Sequence, residues 1–231
     1  MKIYIDRDKV NARSTLATVM SVGGLLLLLG SVLLPLFVPA AANISLVLLA
    51  AGGIIAMVGI YYSNRWVRKP RPEDSLDAAL KAFDDHYRLY HYPKLPCEHV
   101  LLTPTGVMAF EIVNLAGRFS NRKGRWKESM TIGRALRYIV EPRVADPVLV
   151  AQALTDELSD VISRELGKGT RVPIKSLTVF THPAVELEVE GSSYPACKVG
   201  KLRKQASLSA PRLPDDTYGS LASYLERITL G

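Results

Sequence analysis

Residues 15 to 63 contain no Lys, Arg, Asp, Glu or His. Within that stretch, residues 15–38 (TLATVMSVGGLLLLLGSVLLPLFV) and 44–63 (ISLVLLAAGGIIAMVGIYYS) each supply the roughly 20 apolar residues needed to cross about 30 Å of hydrocarbon. The core helix of a soluble protein would show a polar stripe, and neither run has one. A cleaved signal peptide is a poor match, because the first run is too long for such an h-region and the second follows at once. Only Pro39-Ala40-Ala41-Ala42-Asn43 separates the two runs. A connection this short makes the helices antiparallel neighbours, so the sequence predicts a transmembrane hairpin over residues 15–66. Gly23, Gly24, Gly52, Gly53 and Ala56 are expected to allow close backbone approach.

Flanking charge gives the orientation. Lys2, Arg7, Lys9 and Arg13 precede the first run, Arg65, Arg68, Lys69 and Arg71 follow the second, and the connection has no base. The positive-inside rule places both termini in the cytoplasm and the chain in the plasma membrane. Residues 1–14 read as a basic cytoplasmic flank, and Tyr61, Tyr62 and Trp66 as an interfacial aromatic belt. Cys97 and Cys197 then lie in a reducing compartment and read as free thiols.

Residues 67–231 have the charge density of a soluble domain long enough to bury its own core. After Pro70 and Pro72, a helical period spans 74–85. Strand-like runs follow at 87–92, 98–102 and 107–113, the last two joined by the turn Thr103-Pro104-Thr105-Gly106. Asp146-Pro147 opens a helix that Gly167 ends near Leu166. Strands are expected at 172–180, 185–189 and 197–199, and an amphipathic helix at 215–228. This order predicts an α/β domain with a mixed central sheet flanked by helices. There is no Gly-rich phosphate loop, no G-x-S-x-G and no haem motif.

Two features carry candidate chemistry. From Val113 to Arg143 there are eight bases, among them Arg118, Arg122, Lys123, Arg125 and Lys127, against two glutamates, with Trp126 in their midst. Such a stretch suits nucleic acid, acidic lipid or an ordinary solvated loop. Glu98 and Glu111 also stand in strand-like apolar runs, where a carboxylate is costly unless it is paired or bound to a metal. On adjacent antiparallel strands they could converge on one Mg²⁺, with Glu73 or Asp74 of the preceding helix as a third ligand. His86, His91, Cys97 and His99 lack the paired spacing of a zinc site and read as ordinary surface and strand residues.

The succession of an acid-bearing helix, CEHVLLTPTGVMAFEIVNLAGRF, a Trp, a Pro-initiated helix with Gln152, and VPIKSLTVFTHP resembles the nuclease-related (NERD) domain family. That family is associated with the PD-(D/E)xK nucleases and is often fused to membrane helices in bacteria. Asn114 and Gly117 match its pattern. The resemblance implies a restriction-endonuclease-like fold and Glu98 and Glu111 as catalytic carboxylates. It also implies a lysine two residues after Glu111, on the same strand face, which would help activate water. Here that position is Val113, and Glu98 stands where the family usually has Asp.

The expectation is therefore a membrane-anchored protein of weak or no catalysis, binding nucleic acid or a protein partner through Arg118, Arg122, Lys123, Arg125, Trp126, Lys127 and Gln152. The alternatives are an active Mg²⁺-dependent nuclease whose lysine is relocated to Lys123 or Lys127, and a structural protein whose basic domain lies on the lipid bilayer.

Overall fold

The computed structural model describes residues 1–122, 125–129, 143–167, 170–191, 194–206 and 209–231. Lys123 and most of the basic stretch after Ser129 lie outside the described residues. The chain divides into two compact units, a helical hairpin and an α/β domain.

The hairpin consists of α1 (Arg7–Phe37), a 3₁₀ turn over Pro39–Ala41, and α2 (Ala42–Trp66). At 1.5 Å per residue α1 is about 46 Å long, so its charge-free part alone covers the hydrocarbon thickness. Both helices are long and apolar enough to cross a membrane. Their buried residues recur every seven positions: Val10, Ala17, Gly24 and Ser31 on α1, and Ser45, Gly52, Gly59 and Trp66 on α2. A seven-residue repeat keeps one seam facing the partner helix.

Small residues make that seam close. A Cβ added at Gly24 would stand 2.5 Å from the Ala56 backbone nitrogen, and one at Gly59 2.5 Å from that of Ser21. One at Gly52 would meet Leu27 and Leu28 at 3.0 Å, whereas Gly23 and Gly53 face open space. Of the expected contact residues, Gly24, Gly52 and Ala56 lie in the seam; Gly23 and Gly53 do not, and Gly59 joins it. At the end of α2 the ring of Trp66 has the guanidinium groups of Arg13 and Arg65 5.2 and 5.8 Å from its centroid.

The α/β domain holds a six-stranded mixed sheet in the order β1-β2-β3-β4-β7-β9. Its strands are β1 (Lys2–Ile5), β2 (Arg88–His91), β3 (His99–Thr103), β4 (Gly106–Val113), β7 (Ile174–Phe180) and β9 (Ala196–Lys198). The β2–β3 and β3–β4 pairs are antiparallel; β1–β2, β4–β7 and β7–β9 are parallel. Residues 2–5, read from sequence as part of a basic flank, are thus the edge strand of this sheet.

Both faces are covered. On one, α3 (Pro72–Leu80) and α5 (Leu202–Gln205) bring Leu76, Leu80 and Leu202 onto Leu89, Leu101, Met108, Phe110 and Val179. On the other, α4 (Pro147–Leu166) and α6 (Asp215–Leu230) bring Leu154, Leu158, Leu221 and Leu225 onto Tyr90, Val100, Leu102, Val107 and Ala109. Because β4 has a helical layer on each side, GVMAFEIV reads as a continuous apolar run instead of alternating. Helix α4 starts where the sequence placed it, with the Asp146 carboxylate accepting from the Val148 amide at 2.9 Å. Helix α3 stops at Leu80, five residues short of the expected end. There Phe83 turns back to bond the Leu80 carbonyl and stacks on Tyr87 at 4.3 Å.

A second sheet, β6-β5-β8, is formed by β5 (Gly117–Arg122), β6 (Arg125–Glu128) and β8 (Val185–Val189). The start of the basic stretch is therefore a hairpin and not a loop.

Candidate functional site

Glu111 lies on β4 opposite Thr178 of β7 and is half-buried. By strand alternation it shares its face with Val107 and Ala109, the face covered by α4 and α6. Glu98 sits one residue before β3, half-buried, its carbonyl accepting from the Tyr92 amide at 2.5 Å. The adjoining pair is His99 opposite Phe110, and continuing that register by one residue sets Glu98 across from Glu111. The two carboxylates thus belong to one face, as the sequence suggested. Cys97 lies among them. Burial pushes its thiol up to about 12, and the charges of Glu111, Glu98 and Glu157 push in the same direction. The Thr178 hydroxyl beside Glu111 is buried and makes no hydrogen bond among the described residues.

Glu73 belongs elsewhere. It projects from α3, is only 2% exposed, and accepts from the Tyr92 hydroxyl at 2.7 Å. One helical turn on, Asp77 lies 2.9 Å from His91 Nε2, and His91 Nδ1 lies 2.8 Å from His99 Nδ1. The Asp77 carboxylate can only accept, so His91 donates to it from Nε2, and one of the two facing Nδ1 atoms donates to the other. His91 and His99 are therefore fully buried members of a polar chain beneath α3, not the surface residues that were one option from sequence. Because α3 packs on Leu101, Met108 and Phe110, it addresses the sheet face opposite to that of Glu111. Glu98, Glu111 and Glu73 are not brought together. Among the described residues no group of three or more His, Cys, Asp or Glu side chains is placed to hold a metal ion. The arrangement does not fit a Mg²⁺ site built from these three carboxylates, and no catalytic step through a metal follows from it.

Val113, two residues beyond Glu111, is 9% exposed and packs in an apolar cluster with Phe119, Phe180, Val185 and Ala196. Lys127, one sequence candidate for a relocated lysine, is exposed on β6. The other, Lys123, lies outside the described residues.

The second sheet sorts the remaining candidates. Arg118 and Arg122 on β5 and Arg125 and Lys127 on β6 are exposed, while Phe119, Asn121 and Trp126 point the other way. Arg118 meets Glu186 at 2.6 Å and Arg122 meets Glu188 at 2.8 Å, both acids on β8. Those acids went unnoticed in the sequence, although the alternation of VELEV marks them. Trp126 is no open stacking platform. Its ring stacks on Phe119 and on Tyr194, at centroid distances of 5.9 and 6.2 Å, and its indole donates to the Val144 carbonyl at 3.3 Å. Gln152 is exposed on α4.

The architecture defines the class: a long, largely apolar two-helix hairpin joined to an α/β domain with a mixed sheet between helical layers. Residues 71–181 match the family model of the nuclease-related domain, NERD. The chain carries a nuclease-related domain. No curated protein and no solved structure matches it.

Proposed function

We propose that this is a membrane-anchored nuclease-related-domain protein that binds nucleic acid at the cytoplasmic membrane face without cleaving it. The observation that carries the loss of cleavage is the packing of Val113. A lysine that activates water must present its amine beside the carboxylates, and here the position is filled by a side chain locked among Phe119, Phe180 and Val185. The metal side of the site is no better supplied, since Glu73 is engaged with Tyr92.

Binding is assigned to the outward face of β5 and β6, where Arg118, Arg122, Arg125 and Lys127 stand against Glu186 and Glu188. Phosphate contacts of this kind give salt-dependent, sequence-tolerant affinity. A protein partner is the second reading, favoured by the Arg118–Glu186 and Arg122–Glu188 pairs, because alternating stripes of charge suit another protein better than a uniform polyanion. Fluorescence anisotropy of a labelled oligonucleotide with the full chain in nanodiscs tests the choice. Arg125→Glu with Lys127→Glu is expected to weaken binding at least about tenfold. Undetectable binding by the unaltered chain at low salt would reject nucleic acid and leave the protein partner.

A further inference from the structure

A second basic surface lies apart from the β5–β6 face. From Gly191 to Pro214 the chain has five bases, Lys198, Lys201, Arg203, Lys204 and Arg212, and no acid. The first four cluster around the 3₁₀ turn Val199–Lys201 and α5. Leu202 and Ala206 are buried and pin this segment to the core, so Lys201, Arg203 and Lys204 are left exposed and Lys198 half-exposed. Lys175 adds to the same region: its Nζ donates to the Gln205 carbonyl at 3.2 Å, and its charge, like that of Lys201, is felt by Cys197.

Acids do not neutralise this surface as they do the other one. Arg118 and Arg122 are paired with glutamates, but none of Lys198, Lys201, Arg203 and Lys204 forms an ion pair among the described residues. Helix α3 packs beside α5; of its three acids Glu73 and Asp77 are turned to Tyr92 and His91, and Asp74 is half-buried.

We infer that the surface of Lys198, Lys201, Arg203 and Lys204 docks on anionic phospholipid headgroups. The inference rests on the membrane-anchor reading. Lipid is favoured over nucleic acid on three grounds. Three of the four bases are lysines, strongly hydrated point charges that suit a diffuse anionic surface better than bidentate recognition. No aromatic residue occurs from Pro195 to Thr217, so the segment that carries these bases has no ring of its own to stack on nucleobases. Finally, only five residues, Val67 to Arg71, join α2 to α3, which keeps headgroups at high effective concentration for a chain anchored by α1 and α2. Clustered bases next to a bilayer each add attraction that fades within a Debye length.

Acetylation footprinting of the full chain in nanodiscs tests this. In discs with about 30% phosphatidylserine, Lys198, Lys201 and Lys204 should be acetylated at least about threefold more slowly than in phosphatidylcholine discs, and about 0.5 M salt should remove the difference. Lys94 and Lys127 should be modified equally in both. In a Lys201→Glu, Lys204→Glu variant the lipid dependence at Lys198 should disappear. Equal rates in the two lipids, with the chain still embedded, would overturn the docking surface alone, as would protection at Lys127 instead. Protection in neutral discs by an oligonucleotide, with no effect of phosphatidylserine, would also overturn it and assign the surface to nucleic acid. Release of the chain from membranes by alkaline carbonate would instead overturn the anchor reading, and with it this one.

Discussion

The ring of Tyr4 stacks on that of Tyr90, with centroids 5.0 Å apart and planes inclined by 13°. One residue precedes the helical hairpin in sequence and the other follows it, so the α/β domain is assembled from both sides of an insertion. The pairing of Lys2–Ile5 with Arg88–His91 is parallel and continuous. Arg88 extends the stitch by pairing with Glu226 of α6 and lying over the Tyr218 ring at 5.6 Å.

A soluble fragment beginning at Pro72 therefore lacks an edge strand. It should be less stable than the same fragment preceded by residues 1–6 on a flexible linker, by about 2–3 kcal/mol from the lost aromatic pair and ladder bonds. Urea unfolding of the two would measure the gap. Equal midpoints would show that β1 contributes nothing.

The hairpin seam makes a sharper distinction among glycines. Gly24→Leu and Gly59→Leu each drive a side chain into the facing backbone and should separate the helices, lowering the melting temperature of the full chain in detergent. Gly23→Leu and Gly53→Leu point into open space and should leave it nearly unchanged. The same response from both pairs would contradict the register described above.

Burial holds the thiols of Cys97 and Cys197 protonated, each pushed up to about 12 from an ordinary value of 9.0. Neither should react with a maleimide at pH 8 in the native chain, and both should react after denaturation. The linkage sign follows from the raised value. Above about pH 9 the unfolded chain loses thiol protons that the folded chain retains, so the thiols' contribution to stability falls as pH rises from 9 toward 12. Pre-labelled native protein, or a thiol contribution that grows with pH over that range, would contradict this placement.

The sequence made the long-range plan legible where a local signal existed. Charge-free runs marked the two helices, and Asp146-Pro147 with Gly167 marked both ends of α4. The pairing of Glu98 with Glu111 followed from two strands joined by a tight turn. Elements with non-local partners were not legible. Strand β1 is four residues long and pairs with residues more than eighty positions away. The β5–β6 hairpin buries few apolar side chains, chiefly Phe119 and Trp126, too few to stand out against its charges. Which sheet face α3 would cover was a tertiary matter, and that alone separated Glu73 from the other two carboxylates.

Placing lysine at position 113 would not restore a nuclease. Val113→Lys buries an amine among Phe119, Phe180 and Val185, which should cost about 3 kcal/mol or more. Because no group of three or more His, Cys, Asp or Glu side chains is placed to hold a metal ion among the described residues, it should produce no Mg²⁺-dependent cleavage. A stable variant that cleaves DNA would show that the cluster opens and the carboxylates converge.

Incubating the full chain in nanodiscs with Mg²⁺ and single- and double-stranded DNA, alongside a Glu111→Ala variant, tests whether this nuclease-related domain lacks nuclease chemistry. The expected result is no cleavage by either protein above a blank of empty discs. Cleavage by the unaltered chain that disappears in Glu111→Ala would contradict the account, and would make Lys127 and Lys123 the first lysines to replace.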